Sequence, residues 1–341
     1  MTEKLFHFNI IGAGEWGLSF ANHLFCTANS SEHGSTINVY IRNDDNLHLA
    51  KTKYFDSALN FYNINQLNAN HINQYTDVNR HTNIIACSSA GFANIINDHK
   101  SYFEKFNHLC WLTKGLDHDS GLLFHDVIDA KLNSKMDKCI ISGPSFARDL
   151  DHKRSIEVSF ASTSEILSRT LNLRMSNYYF KLIPTTNIIG VEIAGIIKNI
   201  SAILAGILTA NNYQQKDIDR LIILSQHDIQ KMSNKVLKNN PNYSATKKDI
   251  SNIITSPACL GDLRLTCLQD VSRNRQFGLK IVSGVDVNKL LSDIGTVEGY
   301  LSTSTLKNNQ TYFGFSNIVD SAYKILYLKN EPNVVIKNLL A

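Results

Sequence analysis

Hydrophobic positions along this chain change their rhythm near Asn187. Before it they fall into short runs of strand length: Phe6–Ile11, Thr36–Ile41, Asn83–Cys87, a run closed by Trp111-Leu112, then Cys139–Ser142, Ile156–Phe160 and Tyr178–Leu182. A helical pattern follows the first run, from Trp16 to about Phe25. Buried strands alternating with helices predict an open sheet covered on both faces. After Asn187 the apolar residues recur at helical spacing, in Ile188–Ala210, in Asp217–Met232 and in two packing helices within the last 30 residues. The expected class is therefore α/β: a doubly wound sheet over residues 1–187, then an all-helical domain over 188–341. Residues 47–80 are polar, Asn-rich and helical in places, and carry no legible chemistry. There is no internal repeat.

The segment Ile188–Ala210 is apolar almost throughout. Its longest uncharged run, Asn199–Ala210, is too short to span a bilayer. Glu192, Lys198 and Asn199 interrupt it, so a buried helix of a soluble protein is expected and no stable membrane insertion. Residues three, four and seven away from Lys198 share its face. They are Ala194, Gly195, Ser201, Ala202 and Ala205, all small. A long amine among small residues has space to reach into, and burial is costly for an ammonium without a partner. Two readings stand: a functional amine, or a lysine that snorkels or makes a structural ion pair.

Composition narrows the classes. With 341 residues and 43% hydrophobic content the chain builds about two globular domains. A net charge of +4 does not argue for nucleic acid, though a local anion site stays possible. Cys26, Cys87, Cys110, Cys139, Cys259 and Cys267 show no metal-ligand spacing and sit in apolar contexts. They are expected to be reduced, as in the cytoplasm, with no metal bound. The N-terminus has no signal-peptide pattern. The abundance of Asn, Ile and Lys reads as genome composition bias.

Chemistry enters at the strand ends. After Phe6–Ile11 comes GAGEWG, Gly12 to Gly17, and then a helix. Strand, G-x-G-x-x-G, helix is the dinucleotide-binding arrangement of Rossmann-type sheets. Gly12 allows the tight turn, Gly14 the approach of a pyrophosphate, and Gly17 close packing of helix on strand. The helix N-terminus offers N–H groups to phosphate. Arg42, just after the second strand, can accept a 2′-phosphate or be an exposed turn residue. Asp44 and Asp45 behind it suit a ribose diol, so NADPH and NADH both stay open. Lys114 follows a strand, where open α/β sheets place ligand groups. GPSFA, Gly143 to Ala147, follows another; Ser145 reads as a ligand contact or a helix cap.

In the helical half, Thr255–Gly278 contains Asp262 and SRNR, Ser272 to Arg275. A carboxylate near a lysine can orient it and tune its proton affinity. Paired guanidiniums read as a phosphate clamp or as a solvated helix face. Glu298, in TVEGY, reads as a cofactor contact or a helix cap.

Taken in order, these motifs resemble the bacterial NAD(P)-dependent glycerol-3-phosphate dehydrogenases over nearly the whole length. The likeness rests on GAGEWG at 12, TKGL at 113, GPSFA at 143, Glu192 with Lys198-Asn199, GDL-x-LTC at 261–267, SRNR at 272 and VEGY at 297. It implies a Rossmann domain followed by a helical domain, often paired into a homodimer. It also implies reduction of dihydroxyacetone phosphate to sn-glycerol 3-phosphate, a phospholipid precursor, by NAD(P)H. Lys198 matches the family's general acid/base. Lys114, Gly143, Ser145, Asp262, Ser272, Arg273 and Asn274 match substrate positions, and Asn199 and Thr266 align near the substrate. Glu15, Trp16, Arg42, Lys114, Ala147, Arg273, Val297 and Glu298 match cofactor positions, beside the glycines of the loop. Lys198 would then carry the proton of C2, Lys114 would support its oxygen, and Asp262 would aim Lys198, in a cleft between the domains.

Departures are SPACLGDL at 256–263, DRLIILSQHDIQKM at 219–232, and Ser88-Ser89 where proline is usual. Two rival readings remain: a dehydrogenase of another hydroxy or sugar acid, and an NADPH-binding module without catalysis.

Overall fold

A computed structural model describes residues 6–29, 34–53, 59–67, 80–132 and 135–341. The chain divides into two compact units. The first comprises residues 1–113, 124–141 and 145–185, the second 114–123, 142–144 and 186–341. The division is thus not one cut at 187/188. Two short strand-end segments, which carry Lys114 and Gly143, count with the helices.

The first unit is built on an eight-stranded sheet. Its strands are β1 (Phe6–Ile11), β2 (Ser35–Ile41), β3 (Leu59–Asn63), β4 (His81–Ile85), β5 (His108–Trp111), β6 (Asp137–Ser142), β7 (Ile156–Ser162) and β8 (Phe180–Thr185). They lie in the order β3-β2-β1-β4-β5-β6-β7-β8. Neighbours from β3 to β6 are parallel, and so are β7 and β8. The order 3-2-1-4-5-6 is that of the doubly wound nucleotide-binding sheet, with its switch point between β1 and β4. Every residue of β1 and of β4 is buried, because helices cover both faces.

Two expectations are corrected here. The strand expected over 83–87 begins two residues earlier, and Ala86-Cys87 have already left it. A strand, β3, also lies in the polar stretch expected to be helical in places, beside the helix Asp44–Lys53. Only Leu59 of β3 is buried, as suits a polar edge strand. The rest of that stretch, 54–58 and 68–79, lies outside the described residues.

The asparagines of four strands have a structural use. Asn60, Asn38, Asn9 and Asn83 face one another across β3, β2, β1 and β4. Asn60 donates to Asn38 (3.1 Å), Asn38 to Asn9 (2.9 Å) and Asn9 to Asn83 (3.1 Å). Tyr102 Oη closes the row on Asn83 at 2.7 Å. A one-residue slip of any strand would strand these amides in an apolar layer, so the row fixes register.

α1 (Glu15–Asn29) follows β1 and packs on the sheet. In the second unit α2 (Ile188–Ala210) is the axis. It is long and apolar enough to cross a membrane by length and composition. Here protein surrounds it, and every residue from Ile188 to Leu208 is buried. Asn187 caps it by accepting from Gly190 N at 2.8 Å. Around it stand α3 (Gln215–Asn239), α4 (Asp262–Leu268), α5 (Arg273–Ile281) and α6 (Glu298–Asn308). α5 crosses α2 backbone to backbone: a Cβ on Gly278 would lie 2.0 Å from Ile203 O. The start of α6 is as close, since a Cβ on Gly299 would lie 2.5 Å from Asn199 O. These glycines bring Asn274 and the start of α6 against Asn199, the residue next to Lys198 in sequence.

Candidate active site

The glycine loop is shaped by contact, not by charge. Gly12 has φ +115°, and its Cβ would meet the Ala86 carbonyl carbon at 2.7 Å. A Cβ on Gly17 would lie 2.7 Å from Gly12 O, so α1 rests directly on the turn. Gly14 is different: a Cβ there would meet nothing within 4 Å. Open space over Gly14, at the N-terminus of a long helix, fits a pyrophosphate. Glu15 is exposed and Trp16 half-buried in the first turn. Arg42 is exposed directly beyond β2. Ala147 opens a short helix whose N-cap residue is Phe146, so Ser145, half-buried, is not its cap.

The second unit gathers a buried charge cluster. Lys198 is 8% exposed and Asp262 only 1%. Lys114 Nζ lies 2.5 Å from Asp262 Oδ2 and donates to Gly143 O at 2.8 Å. Lys198 Nζ is 3.7 Å from Asp262 Oδ1. One carboxylate therefore serves two ammonium groups, and its tight partner is Lys114 rather than Lys198. The small face read from sequence is what admits them: a Cβ on Gly195 would touch Lys114 Cβ at 3.6 Å and Ser142 Oγ at 3.7 Å.

Burial pushes the Lys198 amine down to about 8; Asp262 pulls it up and Lys114 pushes it further down. An amine poised there can both give and take a proton near neutral pH. The Cys267 thiol, raised to about 12 mainly by burial, adds no charge to this cluster. The six cysteines are free thiols, four of them buried. Thr266, buried, donates its hydroxyl to Asp262 O at 2.5 Å within α4.

The two arginines of SRNR part company. Arg275 is buried: it pairs with Asp270 at 2.7 Å and donates to Cys267 O (2.7 Å) and Thr209 Oγ1 (3.0 Å). It holds α5 to α2 and α4, and no donor fork is left for a phosphate. Arg273 is exposed, with no ion pair among the described residues. Ser272 is the buried N-cap residue of α5, and its side chain makes no cap bond.

Asn274 is a bridge. Its Nδ2 donates to Asn199 Oδ1 (3.0 Å) and its Oδ1 accepts from Gly299 N (2.8 Å). Asn199 is itself tied back to Gly195 O at 3.3 Å. So the residue beside Lys198, the residue beside Arg273 and the helix start that carries Glu298 form one hydrogen-bonded row. Val297, buried, is the N-cap residue of α6. One neighbour had no signal in the sequence: His118 Nε2 stands 3.4 Å from Glu298 Oε2, across 180 positions.

A glycine turn between strand and helix in one unit, and a buried amine beside a carboxylate in the other, are the features a nicotinamide-dependent dehydrogenase would use for cofactor binding and proton transfer. Comparison narrows this class to one family. The model for the N-terminus of NAD-dependent glycerol-3-phosphate dehydrogenase matches residues 7–167, and that for its C-terminus matches 187–337. The chain belongs to this family. It is 29% identical to a glycerol-3-phosphate dehydrogenase [NAD(P)+] of Francisella tularensis subsp. novicida over 97% of this chain and 96% of the relative. A counterpart from Francisella tularensis subsp. tularensis is 28% identical over the same shares. The fold is that of the glycerol-3-phosphate dehydrogenase of Coxiella burnetii, with a TM-score of 0.80 at 23% identity over 98% of this chain and 99% of the other.

Proposed function

We propose that this protein reduces dihydroxyacetone phosphate to sn-glycerol 3-phosphate, and reverses the reaction, with Lys198 as the proton carrier. The observation that carries the reading is the buried Lys198–Asp262–Lys114 cluster, with an amine whose proton affinity burial has lowered to about 8. A bound nicotinamide cofactor would supply or accept the hydride at C2. Gly12, Gly14, Glu15, Trp16 and Gly17 would hold its pyrophosphate side, with Arg42 at the adenosine ribose and Ala147, Val297 and Glu298 as further contacts.

The chain's own work is positioning and proton transfer. Arg273, Asn274 and Ser272 would bind the substrate phosphate, with Gly143 and Ser145 bordering the triose. Arg273 is free of partners among the described residues, as an anion site needs. In reduction Lys198 gives its proton to the C2 oxygen, and in oxidation it takes that proton back. Lys114 adds positive charge as that oxygen becomes alkoxide-like. Asp262 keeps two neighbouring ammonium groups from expelling each other, which leaves Lys198 able to titrate near neutrality.

The test follows nicotinamide absorbance with dihydroxyacetone phosphate, using NADH and NADPH in parallel. Turnover with the phosphorylated triose, and little with dihydroxyacetone itself, is the expected outcome. Equal turnover of the two substrates would favour a dehydrogenase of another hydroxy compound, and none would favour a binding module. The rates with the two cofactors decide what Arg42 and the aspartates behind it prefer. The reading extends to a cytoplasmic homodimer that feeds glycerophospholipid synthesis. Free thiols support a reducing compartment. The family resemblance supports the dimer, and sedimentation of the purified protein tests it.

A further inference from the structure

We infer that Asn199 is a positioning residue: through Asn274 it holds the grip on the substrate phosphate at a fixed span from Lys198. The inference rests on the reading of Asn274 as a phosphate contact.

The directions of three hydrogen bonds carry it. Gly299 N only donates, so the atom of Asn274 that meets it at 2.8 Å is Oδ1. Gly195 O only accepts, so the atom of Asn199 that meets it at 3.3 Å is Nδ2. Between these two backbone ends Asn274 Nδ2 donates to Asn199 Oδ1 at 3.0 Å. Turning either amide over would set oxygen against oxygen at one of its contacts and N–H against N–H at the other. Both side chains are buried, where such a mismatch is costly. The row therefore runs in one direction, fixed by backbone at each end.

Asn274 thus has two anchors, Gly299 N and Asn199 Oδ1. Two points hold a planar amide, and one leaves it free to pivot. Its nitrogen carries two hydrogens and spends one on Asn199; the other has no partner among the described residues. That N–H belongs to the first turn of α5, where an anion has little competition. Ser272, the N-cap residue, makes no cap bond to the turn, and Arg273 is exposed.

The frame around the row is rigid. α5 and α6 both meet α2 backbone to backbone: a Cβ on Gly206 would lie 2.3 Å from Arg275 O, and one on Gly299 2.5 Å from Asn199 O. Arg275 locks α5 further, through Asp270, Cys267 O and Thr209. Sliding of α5 is blocked, so the aim of the Asn274 amide is left to its two anchors. Lys198 and Asn199 are consecutive on α2 and leave it about 100° apart. One serves the C2 oxygen, and the other, through Asn274, serves the phosphate. α2 sets the span between proton carrier and phosphate grip.

Kinetics with dihydroxyacetone phosphate and with dihydroxyacetone test this. Asn199→Ala removes one anchor and leaves Lys198, Lys114 and Asp262 in the chain. Its kcat/KM for the phosphorylated triose should fall about tenfold, mostly through KM, as for the loss of one hydrogen bond to a charged group. The loss with dihydroxyacetone, which has no phosphate to hold, should be much smaller. Asn274→Ala should show the same split, and the double variant should be no worse than Asn274→Ala alone. Competitive inhibition by inorganic phosphate should weaken with the same non-additivity. Equal losses with the two substrates would place the effect of Asn199 on Lys198 or on the fold and overturn the inference. Additive losses in the double variant would overturn it too, since Asn199 would then act without Asn274. If Asn274→Ala keeps the native preference for the phosphorylated triose, the phosphate reading of Asn274 fails and the inference falls with it. Melting temperatures report on folding, and Asn199→Ser enters the same cycle if the alanine variant does not fold.

Discussion

The glycine loop of the first unit and the lysine cluster of the second solve opposite problems. The loop, Gly12 to Gly17, does its work by leaving side chains out, and its geometry is local: β1, a turn at positive φ, and α1. The cluster does its work by crowding side chains in. Lys114 and Asp262, 148 positions apart, meet at 2.5 Å on either side of an α2 face kept small. A binding site for phosphate can be made from backbone N–H groups that any sequence supplies. A proton carrier cannot, because only a titratable side chain in a tuned environment has a useful proton affinity. The contrast teaches where substitutions should hurt: contact geometry in the first unit, charge balance in the second.

The largest effect is expected at Lys198. Lys198→Ala should lower kcat on the order of 10²–10⁴-fold while NADPH binding, measured by fluorescence, survives. Survival of turnover would remove the amine from the mechanism. Next comes Asp262→Asn, which leaves two ammonium groups without their carboxylate. Breaking a buried pair on one side costs about 3 kcal/mol, so the melting temperature should drop measurably. It should also move the Lys198 titration below about 8, since Asp262 is what holds it up.

Two matched pairs sharpen the comparison further. Gly12→Ala forces a side chain to φ +115° and into the Ala86 carbonyl. It should cost about 2 kcal/mol of stability. Gly14→Ala should change stability by less than about 0.5 kcal/mol and still weaken cofactor binding. In the second unit, Arg273→Ala should raise the substrate KM roughly tenfold or more with little change in melting. Arg275→Ala should do the reverse, lowering the melting temperature through the loss of its bonds to Asp270, Cys267 and Thr209. The mildest signature is in pH. The free protein loses the Lys198 proton through about pH 8. So kcat/KM for reduction should fall through that pH, and kcat/KM for glycerol 3-phosphate oxidation should rise through it.

Much of this was legible along the chain, and particular residues show why. The loop was, because its three glycines and flanking elements are neighbours in sequence. The space around Lys198 was also readable, since helical periodicity puts Ala194, Gly195, Ser201, Ala202 and Ala205 on its face, but whether the amine stays inside or snorkels was not. β3 was missed because an edge strand need not be apolar, and LNFYN has one buried residue. The asparagine row was read as composition, since pairing across four strands is invisible until register is known. Arg275 was grouped with Arg273 because adjacent letters do not say which side of a helix meets the core.

Periodicity and short motifs determined the two kinds of unit, the nucleotide loop and the candidate amine, all of which depend on residues within a few turns of one another. Only tertiary structure decided that Asp262 holds Lys114 more closely than Lys198, that Asn274 joins Asn199 to the start of α6, and that His118 stands against Glu298. Those pairings rest on glycine-thin helix crossings and long loop closures. Backbone distances of that kind are a property of the packed chain and leave no period in the letters.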